Sequence, residues 1–166
     1  MSARRVLLFA LVLSFFMFPG CGEKEEPREE ADKYCFVYNG IEIVPGEDIA
    51  PVIAALGEPT SYYEAASCAF EGLDKIYTYG GVQINTYPDG EVDRVLSVVL
   101  LDDACLTPEG VGIGSDVEAV IAAYGNEYTS TENSMTYMRG DTELKFILRD
   151  GCVSSIQYYD ISSGTD

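Results

Sequence analysis

Chemistry in this chain has to come from cysteine thiols, carboxylates and tyrosine hydroxyls, because its 166 residues include no histidine and no tryptophan. Without an imidazole there is no Ser-His or Cys-His pair to activate a nucleophile. A GxSxG elbow, a phosphate-binding loop and a dinucleotide fingerprint are also missing. Two carboxylates could serve as acid and base in glycoside hydrolysis. With 28 acidic residues against 10 basic ones, some such pair is always at hand, so the pattern singles out none. The chain reads as a non-enzyme that uses no cofactor.

Four cysteines, Cys35, Cys68, Cys105 and Cys152, lie in the globular part of the sequence. In an exported protein an even count allows two disulfides with three connectivities. A Cys35–Cys152 pair joining first and last strands, with Cys68 to Cys105, is one; free buried thiols are the alternative. No CxxC spacing is present, which together with the missing histidine argues against zinc. Asp89-Gly90-Glu91-Val92-Asp93 places alternate acids at a turn, as a calcium loop would. It does not follow the EF-hand spacing, and Pro88-Asp89-Gly90 already explains it as a hairpin turn. Asp102 and Asp103 read as a solvated strand end. No metal site is expected.

Six of the twelve tyrosines form the candidate binding surface: Tyr62, Tyr63, Tyr77, Tyr79, Tyr87 and Tyr137. Aromatic, sparsely charged sheet faces are frequent protein-recognition surfaces. The competing reading packs the same rings under helices, with their hydroxyls at the rim.

What must position these residues begins after residue 33. Arg4 and Arg5 precede an apolar run over residues 6–18. Thirteen residues at about 1.5 Å each reach about 20 Å, short of a hydrocarbon core of about 30 Å. A signal peptide over residues 1–20 is the better reading. It ends Phe18-Pro19-Gly20-Cys21, similar to a bacterial lipobox in which Cys21 takes the lipid. Residues 21–33 are then the lipidated cysteine and an acidic tether with too little apolar surface to fold. This arrangement predicts an extracytoplasmic domain held to the bacterial cell membrane by its N-terminal lipid. The formal net charge of −18 repels phosphates, so nucleic acid is not a partner.

The domain carries an internal duplication. Gly46-Glu47-Asp48-Ile49-Ala50-Pro51-Val52-Ile53-Ala54-Ala55-Leu56-Gly57 matches residues 114–125, 68 positions later, at seven of twelve places. In each copy apolar residues recur at i, i+3, i+4 and i+7: Ile49, Val52, Ile53, Leu56, then Val117, Val120, Ile121, Tyr124. That is one buried helical stripe. Ser115 and Glu118 form a capping box, and Gly57 and Gly125 stand where a left-handed C-terminal cap is wanted. β-rich runs follow each helix, at residues 75–79, 82–87 and 92–101, then 135–138, 144–148 and 153–159. A hairpin with an Asn39-Gly40 turn precedes the first helix. The offset between copies falls from 68 at the helices to 61 at Gly90/Gly151, so the first copy holds about seven extra residues, within 59–72.

The sequence therefore predicts an α+β fold: two tandem helix-plus-three-strand repeats on one antiparallel sheet with the helices on one face. Repeat 1 covers 34–104, repeat 2 covers 105–161, and 162–166 are a tail. A Gly-x-Asp/Ser-x-x-x-Val…Tyr/Leu-Gly helix followed by antiparallel strands, used twice in a small lipoprotein, resembles the β-lactamase-inhibitor-protein-like group, which includes the SmpA/OmlA envelope lipoproteins. The resemblance spans about residues 40–160 and concerns fold. It implies a non-enzymatic module that binds proteins or helps assemble the envelope; inhibitory activity is not carried over. The expected role is a membrane-anchored protein-binding module with a protein partner in the envelope. The alternative is a small-ligand or divalent-cation-binding envelope protein.

Overall fold

Strand propensity dominates the chain from Phe36 onward, and in the computed structural model, which describes residues 32–164, most of it becomes sheet. The expected signal peptide, the expected lipidation site Cys21 and most of the expected tether lie outside the described residues. In chain order the elements are β1 (Phe36–Tyr38), β2 (Ile41–Ile43), α1 (Ala50–Leu56), β3 (Ser61–Ala66), β4 (Leu73–Tyr79), β5 (Val82–Asp89), β6 (Val92–Leu100), α2 (Val117–Tyr124), β7 (Thr129–Thr131), β8 (Ser134–Arg139), β9 (Thr142–Arg149) and β10 (Cys152–Asp160). A single 3-10 turn, Ile161–Ser163, ends the order.

The expectation of two helix-plus-three-strand repeats is overturned. Eight strands form one antiparallel sheet in the order β3-β4-β5-β6-β10-β9-β8-β7, and β1-β2 is a separate two-stranded ribbon. The two helices are only seven and eight residues long. They are minor elements on a mostly-β protein, and four strands, not three, follow each of them. The unexpected strands, β3 and β7, are the two outer edges. Their residues are almost all exposed, so they lack the alternation by which a half-buried strand is recognised.

Cross-strand register sorts the sheet into two unlike faces, because successive side chains point to opposite sides. Tyr77, Ile84, Val98, Tyr158, Leu144 and Tyr137 stand in one row, each opposite the next. Tyr79, Val82, Leu100, Ile156, Phe146 and Met135 form the parallel row. All twelve are buried, and Ile49, Val52 and Val120 of the helical stripes join them in one core. Fully burying a valine such as Val120 contributes about 1.5–3 kcal/mol. Short helices of this length are unstable alone, so this contact is what keeps them.

The helix ends differ in detail from expectation. Asp116, not Ser115, caps α2: its carboxylate accepts from the Ala119 N–H at 2.7 Å, while Ser115 Oγ accepts from Gly112 N–H. Gly57 and Gly125 do end their helices at φ +78° and +84°, but with ψ near −154° and −166°. That extended positive-φ region is open essentially to glycine alone. Each glycine's carbonyl, left over at the helix end, accepts a tyrosine hydroxyl from the sheet: Tyr79 to Gly57 at 2.9 Å and Tyr137 to Gly125 at 3.0 Å.

Candidate functional site

Four of the six candidate tyrosines are structural. Tyr77, Tyr79 and Tyr137 belong to the core rows, at 8%, 5% and 2% exposure. Burial raises all three hydroxyls above their ordinary value. Tyr87 is buried apart from that core; Phe70 stacks on its ring at 4.9 Å, and its hydroxyl donates to Asp160 Oδ2 at 2.8 Å. Asp160 is itself fully buried and accepts further from the N–H and Oγ of Ser162, which ties the chain's end to β5. The reading that grouped all six as a surface fails for Tyr77, Tyr79 and Tyr137 because their side of the sheet is the one the helices pack on, and for Tyr87 because Phe70 covers its ring and buried Asp160 takes its hydroxyl. Tyr62 and Tyr63 are exposed, at 48% and 62%.

The opposite face of the sheet carries no helical stripe. One row across it runs Thr78, Gln83, Val99, Gln157, Lys145, Thr136. The next runs Tyr63, Ile76, Asn85, Ser97, Tyr159, Glu143, Met138. The two charges in these rows, Lys145 and Glu143, pair with each other at 2.7 Å, and the same alternation puts Asp74 and Arg149 on this face nearer its margins. Gln83 donates to Asn85 and Asn85 to Ser97, so the middle of the face is a connected amide and hydroxyl network. Tyr63 and Met138 project at its two sides, Met138 half exposed. Eight strands about 4.8 Å apart and about 20 Å long give a platform of roughly 700 Å², near the ~800 Å² per partner of an ordinary protein interface. The register reveals this face; no residue type announces it, since threonine, glutamine and asparagine are common in any exposed strand.

The seven surplus residues of the first copy are located too. β3 has six residues against three in β7, and the turn at 67–72 has six against two at 132–133. Tyr62 and Tyr63, within the extra stretch, are in β3, where the Tyr62 ring packs at a tilt against Tyr77 at 5.1 Å and its hydroxyl donates to Glu64. Gly72 closes the turn at φ +137° with Pro88 directly beneath it, so close that a Cβ would meet the ring at 2.9 Å. That contact sets Phe70 over Tyr87. A shallow cleft of about 520 Å³ lies beside it, lined by Phe70, Glu71, Pro88, Asp89 and Gly90.

Two of the three acids of the suspected calcium loop are already engaged. Arg94 Nε donates to Asp89 at 2.5 Å, and Lys75 Nζ to Asp93 at 2.6 Å. Among the described residues no group of three or more His, Cys, Asp or Glu converges to hold a metal ion. All four domain cysteines are free thiols, so neither expected disulfide is present. Cys35 and Cys105 are half-buried, and burial pushes both thiols up. That favours the thiol over the reactive thiolate. Cys68 and Cys152 are exposed.

No protein-family model matches the chain, and no curated protein does. Two solved structures are similar to it in part. One is an extracellular protein containing a SCP domain from Bacillus anthracis, at 14% identity and a TM-score of 0.44, over 83% of this chain and 49% of that one. The chain thus spans about half of that protein's length. The other is a DUF4309 family protein from Bacillus subtilis, at 16% identity and a TM-score of 0.39, over 69% of this chain and 78% of that one. Neither is described as a member of the lipoprotein group that the sequence resembles, and likeness at this level assigns no task. Among the described residues no helix is long and apolar enough to cross a membrane.

Proposed function

We propose that the chain is a non-catalytic protein-binding module of the cell envelope, held outside the cytoplasm by a lipid on Cys21. The open face of its eight-stranded sheet would meet the partner. One observation carries this reading: in a protein of net charge −18, the two rows that cross the middle of this face hold a single cation and a single anion, paired with each other. Charged residues are depleted from interface centres because desolvating them is costly, while aromatic and methionine side chains such as Tyr63 and Met138 are enriched. The resemblance to envelope lipoproteins that bind proteins points the same way. No specific observation favours a divalent cation or a small ligand, since Asp89 and Asp93 at that turn already hold Arg94 and Lys75 and no acidic cluster converges among the described residues.

The reading is tested by placing charge on the face. Thr78→Glu and Gln157→Glu should each lower retention of a partner from envelope extract at least tenfold, while Glu118→Gln, on α2, leaves it unchanged. Retention that survives both face substitutions would sink the proposal.

A further inference from the structure

We propose that the outer edge of β3 receives an extended basic segment of the partner as a ninth strand. This rests on the protein-binding reading and names the chemistry of its partner.

Ladder geometry exposes the docking groups. The Ser67 N–H donates to the Gly72 carbonyl at 3.0 Å, and the β3–β4 register then runs from Ala66↔Leu73 to Ser61↔Thr78 without a shift. Antiparallel pairs alternate between bonded and non-bonded. Hence Ser61, Tyr63 and Ala65 turn their N–H and C=O to β4, while those of Tyr62, Glu64 and Ala66 point outward. Edge strands are ordinarily blunted by shortness, lysine, proline or a bulge. β7, at the other edge, is blunted by being three residues long. β3 has twice that length, no lysine, no proline and no register shift between Ser61 and Ala66. It is also the place where the first copy spends its surplus residues.

The charge along this edge selects the occupant. Exposed Glu58, Glu64 and Glu71 stand before, within and after β3, and none is in an ion pair among the described residues. The nearest cation, Lys75, is held by Asp93. A second copy of this chain would bring another −18 to the same edge, so a basic strand is the complementary partner. Cross-strand neighbours sit about 5 Å apart. The incoming strand therefore carries Lys or Arg opposite Glu64 and packs an apolar side chain against Tyr63 on the other face.

The probe is a fluorescent octapeptide of alternating valine and lysine, with a valine–glutamate octapeptide as control, added to the purified full chain. The basic peptide should bind saturably, more weakly at high salt, and the acidic one should not. Glu64→Pro removes one outward N–H and leaves every bond to β4, and it should weaken binding about tenfold or more. Glu64→Gln keeps that N–H and should weaken it roughly 1.5- to 5-fold. Bound peptide should slow amide exchange at Tyr62, Glu64 and Ala66. Ala66→Pro, at the end of the strand, repeats the test if Glu64→Pro lowers the melting temperature. Equal binding by both proline variants, equal binding of the acidic peptide, or unchanged exchange at those three amides overturns the proposal. So does self-association of the chain that Glu64→Pro abolishes, which would give the edge to a second copy. Partner retention that is lost in Thr78→Glu but kept in Glu64→Pro and Ala66→Pro would remove this inference alone. Retention lost only in the proline variants would remove the open-face reading instead.

Discussion

Removing the hydroxyls of Tyr79 and Tyr137 tests how the helices are held to the sheet. Tyr79→Phe and Tyr137→Phe keep both rings in the core and delete only the bonds to Gly57 and Gly125, of 2.9 and 3.0 Å. A typical hydrogen bond contributes about 0.5–1.5 kcal/mol net, more when its former partner is stranded away from water. Gly57 is exposed, so water replaces the lost donor, and Tyr79→Phe should cost about 1 kcal/mol. Gly125 is half-buried, and Tyr137→Phe should cost about 1.5 kcal/mol. The two strands, β4 and β8, are five strand spacings apart, about 24 Å, so the double variant should lose the sum, about 2.5 kcal/mol. Urea unfolding followed by circular dichroism gives each value. For a domain of this size each single variant should also melt about 3–5 °C lower. No loss from either variant would refute the capping role. A double variant losing much more than the sum would refute the independence of the two helices.

Alkaline unfolding should follow from the buried tyrosines. Burial raises Tyr77, Tyr79, Tyr137 and Tyr158 above the ordinary value of 10.0. Their neutral forms are favoured in the fold, so this stability is fully present below the unfolded value and is lost as pH rises through the folded ones. With twelve tyrosines and no tryptophan, tyrosinate absorbance reads it directly: the buried rings titrate only as the sheet unfolds. A single transition for all twelve near pH 10 in a still-folded protein would contradict the burial. Thiol labelling of the folded chain should modify Cys68 and Cys152 quickly and Cys35 and Cys105 slowly, and all four once unfolded. A Cys35–Cys152 or Cys68–Cys105 crosslink that resists labelling until reduced would contradict it.

Legibility in the sequence followed burial. The helical stripes of Ile49 to Leu56 and Val117 to Tyr124 were visible because one side of each is apolar. β5, β6, β9 and β10 were visible because Val, Ile, Leu and Phe alternate along them. The Asn39-Gly40 turn was legible because both residues adopt positive φ, +52° and +79°, which few other pairs do. β3 and β7 were not, since an edge strand that buries neither face leaves no periodic trace, although Tyr62-Tyr63 is a β-prone pair. Nor could spacing say which face of a strand its tyrosines take. Tyr77 and Tyr79 share a face in either reading, and only the helices docked on that face decide that it is the inner one. The open face was the hardest to see, because what marks it is two central rows with no unpaired charge, drawn from strands that sequence separates by up to about eighty residues.

The central claim is that this open face meets a protein, and site-specific photocrosslinking in the cells that make the chain addresses it most directly. A photoreactive residue at Thr78 or Gln157 should give one discrete protein adduct, and the same residue at Glu47 or Glu118, on the helical side, should give none. Adducts from the helical side alone, or no adduct from Thr78 and Gln157, would contradict it.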